Sequence, residues 1–331
     1  MLFKGFARKG TLALSSIVLA LSLAACGTQT ESQPNQGAAP SDGKTAPAPE
    51  GLKGEIKIDG SSTVFPISQA VAEEFMKKHK DVKITVGESG SSNGVKKLLA
   101  GEIHIADMSK KFKPEELEEL KAKQNTEAVE MPIALDGVTV VVNKKNTFAK
   151  EMTVEELKKI WSKDSQVKKW SDVRPEWPDK EIKLYGPGTA SGTFEFFTEA
   201  INGKAKESRS DYTPSEDDNV LVKGVQGDEF AMGYFGFSYY KANEATLNAV
   251  AIKKDANSPA VAPTKETIEK MTYAPLSRYL YVYPTKKAIA EPHIKEFLKY
   301  YNSEEGAKMV EAVDYIRLPQ DVINKNLEAL K

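Results

Sequence analysis

Three short runs in this chain combine Gly, Ser and Thr as a site for an anion requires: residues 60–66 (GSSTVFP), 90–94 (GSSNG) and 188–194 (GTASGTF). Each follows a β-rich run and leads at once into a helical pattern, with Pro66 suited to the first turn of its helix. A helix N-terminus presents unpaired N–H groups and a partial positive charge, so it holds an anion without needing Lys or Arg. Small residues let the anion approach the backbone, and hydroxyls add donors that rotate to suit. The same residue types also serve as ordinary helix caps, so any one run alone reads equally well as scaffold. Converging, the three would form an oxyanion cage.

The elements that must position these turns alternate. Residues 55–59, 82–87 and 103–106 read as strands, separated by helical patterns reaching Lys80 and covering 95–100. Such alternation predicts an α/β lobe with a largely parallel sheet. Residues 114–123 and 153–161 are amphipathic helices, the second opening with a capping box of Thr153 and Glu156. Residues 131–143 (MPIALDGVTVVVN) form a long apolar strand pattern broken by Asp136 and Gly137, which reads as a crossover. Beyond it lie a strand at 182–185, a helix at 192–201 and an aromatic segment at 234–240; residues 279–283 (YLYVY) carry the chain back, and helices at 291–301 and 304–313 close it. From Leu52 about 280 residues remain, too many for one small core. The expectation is two lobes, 51–134 with 275–331 and 135–274, and no fixed-period repeat is visible.

The strings GSSTVFP, GESGSSNGVKKLLAGEIHIADMS, YGPGTASGTFEFFTEAI and SRSDYTPSEDDNVLVKGV resemble the phosphate-binding proteins of high-affinity phosphate ABC importers, from about Ile56 to Tyr283. The resemblance implies a two-lobed, hinged periplasmic-binding-protein-like (Venus flytrap, type II) α/β fold with phosphate held between the lobes. Residue by residue it carries phosphate-oxygen donors onto Ser62, Thr63 and the Val64 backbone, onto Ser91, and onto Ser191, Gly192 and Thr193. Ser109 falls where the family has a polar ligand at a strand end.

Two positions depart from the family pattern: Ser109 is followed by Lys110 where many relatives have Ser-Arg, and Ala190 stands where they have an acid. A lysine is a point charge and lacks the planar fork of arginine. The positive group is therefore open among Lys110, Arg209 and Arg278. Discrimination from sulfate needs a carboxylate, because at neutral pH phosphate retains a proton to donate and sulfate has none. Asp136 is the first expectation for that acceptor, Asp107 the second.

The chain opens with Lys4, Arg8 and Lys9 ahead of an apolar run at 12–25, which reads as an export signal and is too short to span a membrane. The string Leu23, Ala24, Ala25, Cys26, Gly27 resembles the lipobox of bacterial lipoproteins and implies cleavage before Cys26 and lipid on its sulfur. As the only cysteine, Cys26 excludes an intrachain disulfide. Residues 28–50 hold no large apolar side chain and read as a tether with a root-mean-square span of roughly 25–30 Å. Removing the leader takes the net charge from −1 to −4, and with no basic stripe, nucleic acid is excluded as a partner. His79, His104 and His293 lie outside the three turns and show no ligand spacing; no Gly-Lys pair precedes Thr193, and no Gly stands at 193 as a nucleophile elbow requires. These absences point to no metal or cofactor and leave a hydrolase as the reading with least behind it. The expected protein is a monomeric, lipid-anchored solute-binding protein on the extracytoplasmic face of the cell membrane, serving the permease and ATPase subunits of an ABC importer. The competing readings are a binder of sulfate, molybdate or tungstate, and a surface adhesin using Tyr234, Phe235, Phe237, Tyr239 and Tyr240.

Overall fold

The computed structural model describes residues 51–331. The leader, Cys26 and the tether lie outside the described residues. Eleven strands are present among the described residues: β1 (Lys53–Gly60), β2 (Asp81–Glu88), β3 (Ile105–Met108), β4 (Met131–Asn143), β5 (Glu151–Thr153), β6 (Lys183–Pro187), β7 (Thr213–Ser215), β8 (Ala231–Gly236), β9 (Leu247–Ala249), β10 (Ala251–Lys253) and β11 (Ser277–Pro284). Nine of them make one sheet in the order β2-β1-β3-β11-β4-β8-β6-β7, with β9 also on β4, and β5 pairs with β10 separately. β1 runs parallel to β2 and β3, and β6 runs parallel to β7 and β8, as helices interposed between strands require.

β4 is the axis. Its first half pairs antiparallel with β11 and its second half antiparallel with β8 and β9. Twelve of its thirteen residues are buried, which explains a near-continuous apolar run where a half-exposed strand would alternate. The apolar core changes hands along it: Ala134 packs with Ile56, Phe75 and Phe297, while its neighbour Leu135 packs with Trp161, Trp170 and Trp177. The chain returns through the same region twice more, in β11 and at the Leu135–Ile316 bridge. Ile316, Leu318 and Ile323 join the tryptophan-bearing cluster rather than the one holding the other C-terminal helices.

Local rules account for the helices that carry the turns. The helix Phe65–Lys78 has Pro66 in its first turn, and Val154–Trp161 carries the expected capping box, with Glu156 N–H donating to Thr153 Oγ1 at 3.1 Å and Thr153 N–H to Glu156 Oε2 at 2.8 Å. The helix expected at 192–201 is an α-helix only over Gly192–Phe197 and continues as a π-turn over Thr198–Asn202. There the Thr198 hydroxyl donates to Phe194 O and accepts Lys206 N–H, so the side chain takes up groups the wider turn leaves over. The aromatic run splits between β8 and the helix Phe237–Ala242; Tyr234, Phe235, Phe237 and Tyr239 are buried. That removes the exposed patch an adhesin reading would need.

Candidate functional site

The three turns meet. Gly60, the last residue of β1, has φ +146°, and a Cβ there would sit 2.2 Å from Asp107 O, so only glycine allows the first turn to leave the sheet beside β3. Its carbonyl accepts Ser89 N–H and Gly90 N–H, which fixes the second turn to the first. Gly192 of the third turn is packed so closely that a Cβ would lie 2.5 Å from Ser91 Oγ and 2.6 Å from Ser109 Oγ. The second and third turns are joined directly, Ser92 N–H donating to Ala190 O at 2.9 Å.

Side chains complete the cluster. Thr63 Oγ1 lies 2.9 Å from Thr193 Oγ1, and Ser91 Oγ lies 3.2 Å from Ser109 Oγ. Ser191 caps its helix, accepting Thr193 N–H at 3.1 Å and Phe194 N–H at 3.4 Å. Ser62, Thr63, Val64, Ser91, Ser109, Ser191 and Thr193 are all buried. The carbonyls of the first turn are taken from behind, Ser62 O by Tyr239 OH and Thr63 O by Tyr315 OH. Val64, expected to offer its N–H, gives it to Ser61 O at 3.1 Å within the turn, and its side chain enters the core.

Of the three positive candidates, Arg278 hydrogen-bonds the third turn and the end of β3. Arg278 and Asp136 are opposite each other on β11 and β4. Arg278 donates through Nε at 3.0 Å and Nη2 at 2.8 Å to Asp136 Oδ2, through Nη2 to Thr193 Oγ1 at 2.9 Å, and through Nη1 to Ser109 O at 3.0 Å. Its guanidinium carbon also stands 5.3 Å from the ring centroid of Phe196. A buried fork that reaches the third turn, the end of β3 and Asp136 at once suits the planar guanidinium, which offers more fixed donors than an ammonium.

The other charge candidates lie elsewhere. Arg209 holds Asp211 with two N–H groups and donates to Ile160 O and Val167 O, a structural pair within the second half. Lys110 is spent on Glu195 at 3.0 Å and Glu116 at 3.5 Å. Glu195 is also reached by Lys113 at 3.2 Å and Lys206 at 3.0 Å. Burial pushes its carboxyl up, but Lys110 and Lys206 outweigh this and hold it below the usual range. Sequence reasoning gave Glu195 no role.

Both acceptor candidates are engaged within the protein. Asp136 has Phe237 N–H on Oδ1 at 3.0 Å and two guanidinium N–H groups on Oδ2, so it is the counter-charge that orients Arg278. Asp107 takes the Ser68 hydroxyl at 2.9 Å, and Ser68 in turn lies 3.1 Å from Tyr301 OH, behind the turns. Burial pushes the Asp107 carboxyl up to about 8. The acid the sequence reading passed over is Asp218. It is buried at the start of the helix Asp218–Gly227, hydrogen-bonds Ser62, and is pushed up to about 8, first by burial and then by Glu88. Asp217 caps this helix, accepting Asn219 N–H at 2.8 Å, and Asp218 is its first residue.

A protein-family model described as a PBP superfamily domain matches residues 28–305. The chain is 38% identical over 323 residues to the phosphate-binding protein PstS of Staphylococcus aureus, covering 97% of this chain and 91% of that one. It belongs to the PstS family of phosphate-binding proteins. A solved structure of a possible phosphate-binding protein from Planctomyces limnophilus is 50% identical with a TM-score of 0.64, covering 84% of this chain and 98% of that one. Another, a putative phosphate ABC transporter substrate-binding protein from Clostridium perfringens with bound phosphate, is 27% identical with a TM-score of 0.69, covering 80% of this chain and 100% of that one. The α/β periplasmic phosphate-binding-protein fold expected from the sequence is the fold found. Members of this PstS family are binding proteins rather than enzymes.

Proposed function

We propose that this chain captures inorganic phosphate between its two halves and hands it to the permease and ATPase subunits of an ABC importer. The observation that carries the reading is the buried Arg278 fork, laid by Asp136 against Thr193 and Ser109 where three hydroxyl-rich helix starts meet. In that reading Ser62, Thr63, Ser91, Ser109, Ser191, Gly192 and Thr193 donate to phosphate oxygens, Arg278 supplies the charge, and Asp136 positions Arg278. Val64 N–H joins them only if its turn opens. The halves act as lobes, 51–134 with 275–331 and 135–274. The mature chain works as a monomer on the extracytoplasmic face, held to the membrane by lipid on Cys26.

Calorimetric titration of the mature chain with phosphate, sulfate, molybdate and tungstate tests the substrate. Tight binding of phosphate is the expected result, and a response to another anion in its place would transfer the fold to that ligand. Incorporation of labelled fatty acid, lost in Cys26→Ala, tests the anchor.

A further inference from the structure

The first turn cannot take up its own carbonyls in the usual helical way. Pro66 has no N–H to give to Ser62 O four residues back, and Ile67 gives its N–H to Val64 O at 3.0 Å rather than to Thr63 O. Ser62 and Thr63 are both buried, so each carbonyl needs a donor from elsewhere. Ser62 O takes the Tyr239 hydroxyl at 3.1 Å, and Thr63 O takes the hydroxyl of Tyr315, which Ser238 hydrogen-bonds in turn. Just ahead of these two stands Phe237, whose N–H reaches Asp136 Oδ1 at 3.0 Å. Gly236 precedes it and lies so near the turn that a Cβ would stand 2.9 Å from Thr63 Cγ2. Four consecutive residues, from the end of β8 into the helix Phe237–Ala242, thus press on the turn and its surroundings from behind.

The two phenols belong to different halves. Tyr315 joins the apolar cluster of Ile56 and Phe75, which also holds the Val64 side chain of the turn itself, whereas Tyr239 packs with Val141, Leu221 and Phe235. We infer that Gly236, Phe237, Ser238 and Tyr239 are positioning residues, a bridge from the second half that fixes the first turn in the shape presenting Ser62 and Thr63 to the ligand. The inference rests on the phosphate reading above and adds to it a coupling between closure of the halves and the shape of the site. With the halves together, Tyr239 satisfies Ser62 O, while Phe237 N–H of the same segment holds Asp136, the residue that orients Arg278. With the halves apart, Ser62 O loses its buried donor and the turn is free to relax. Holding the ligand and joining the halves therefore favour each other by the same free energy. The aromatic run at 234–240 serves the ligand site from inside the molecule, which accounts for its burial.

The test is Tyr239→Phe, which removes one hydroxyl and keeps the ring, measured on the mature chain beside the wild type. Calorimetry with inorganic phosphate should show affinity reduced about two- to tenfold, the range one neutral hydrogen bond covers, and stopped-flow release should quicken by a similar factor. The melting temperature of the unliganded chain should stay where it is, because the open form lacks the bond, while the rise produced by a fixed phosphate concentration shrinks. Ser238→Ala, which loosens the seat of Tyr315, should weaken binding in the same direction. Unchanged phosphate affinity in Tyr239→Phe overturns the assignment. So does an equal fall in melting temperature with and without phosphate, which would make the hydroxyl a packing feature indifferent to the ligand. Should Tyr239→Phe show no cooperative unfolding, Ser238→Ala decides on the same readouts. Failure of the wild type to bind phosphate at all would instead sink the phosphate reading itself.

Discussion

At the scale of single residues, the site depends on pairing groups that the sequence keeps far apart. Arg278 and Asp136 were each legible as candidates, one for charge and one for acceptance, but their union was not, because it follows from the antiparallel register of β11 on β4 and not from any local pattern. Removing the arginine leaves a buried carboxylate without its partner. Arg278→Ala should cost about 3–5 kcal/mol of stability in urea unfolding, and Arg278→Lys, which keeps the charge without the fork, should still weaken phosphate binding in calorimetry. Asp107 makes a different prediction. A buried carboxyl whose pKa is raised by folding stays neutral in the native chain while the unfolded chain ionises, so raising pH from about 4 toward 8 favours unfolding. Its contribution is about 1.4 kcal/mol per pH unit across that window, and Asp107→Asn should remove that slope from the stability profile. Equal slopes in the two proteins would place the proton elsewhere.

Among the elements, strand and helix starts were the readable part. β4 was predicted over its whole length, because an apolar run of that kind admits few other structures, and Asp136 interrupts it without ending it. The helix after Thr193 was read too long, since periodicity does not report a Thr198 side chain that substitutes for backbone bonds. Least legible was the grip of one element on another. Glu195, on the helix behind the third turn, is held by Lys110 and Lys113 from beyond β3 and by Lys206 from its own half. This carboxylate ties the two halves together at the place where Lys110 departs from the family pattern. Glu195→Gln should leave the fold intact and speed phosphate release in stopped-flow dilution, a charged hydrogen bond contributing about 1.5–3 kcal/mol. Unaltered release would leave the cluster a structural tie with no part in holding the ligand.

For the whole molecule, the halves are joined through β4, β11 and the pairing of Leu135 with Ile316, and the proposed site lies where they meet. A ligand seated there binds the folded chain and not the unfolded one. Phosphate at a hundred times its dissociation constant should therefore add about 2.7 kcal/mol to stability, read as a concentration-dependent rise in melting temperature, while an anion that does not bind leaves the melt unmoved. The two-lobe expectation came from chain length and from the interrupted strand at 131–143, whereas the side taken by Ile316, Leu318 and Ile323 depends on packing that no periodicity encodes.

The placement of the tryptophans gives the molecule an optical asymmetry. The sequence has three, and Trp161, Trp170 and Trp177 all sit in the cluster around the second half of β4. Indole emission therefore watches one half only, while tyrosines occur in both, Tyr234 and Tyr273 beside the tryptophans and Tyr301 and Tyr315 in the other cluster. Melting curves followed by indole emission and by far-ultraviolet circular dichroism, which sees the helices of both halves, would separate if the halves come apart in sequence and superimpose if they unfold as one, so the protein carries its own built-in probe of how tightly its two cores are coupled.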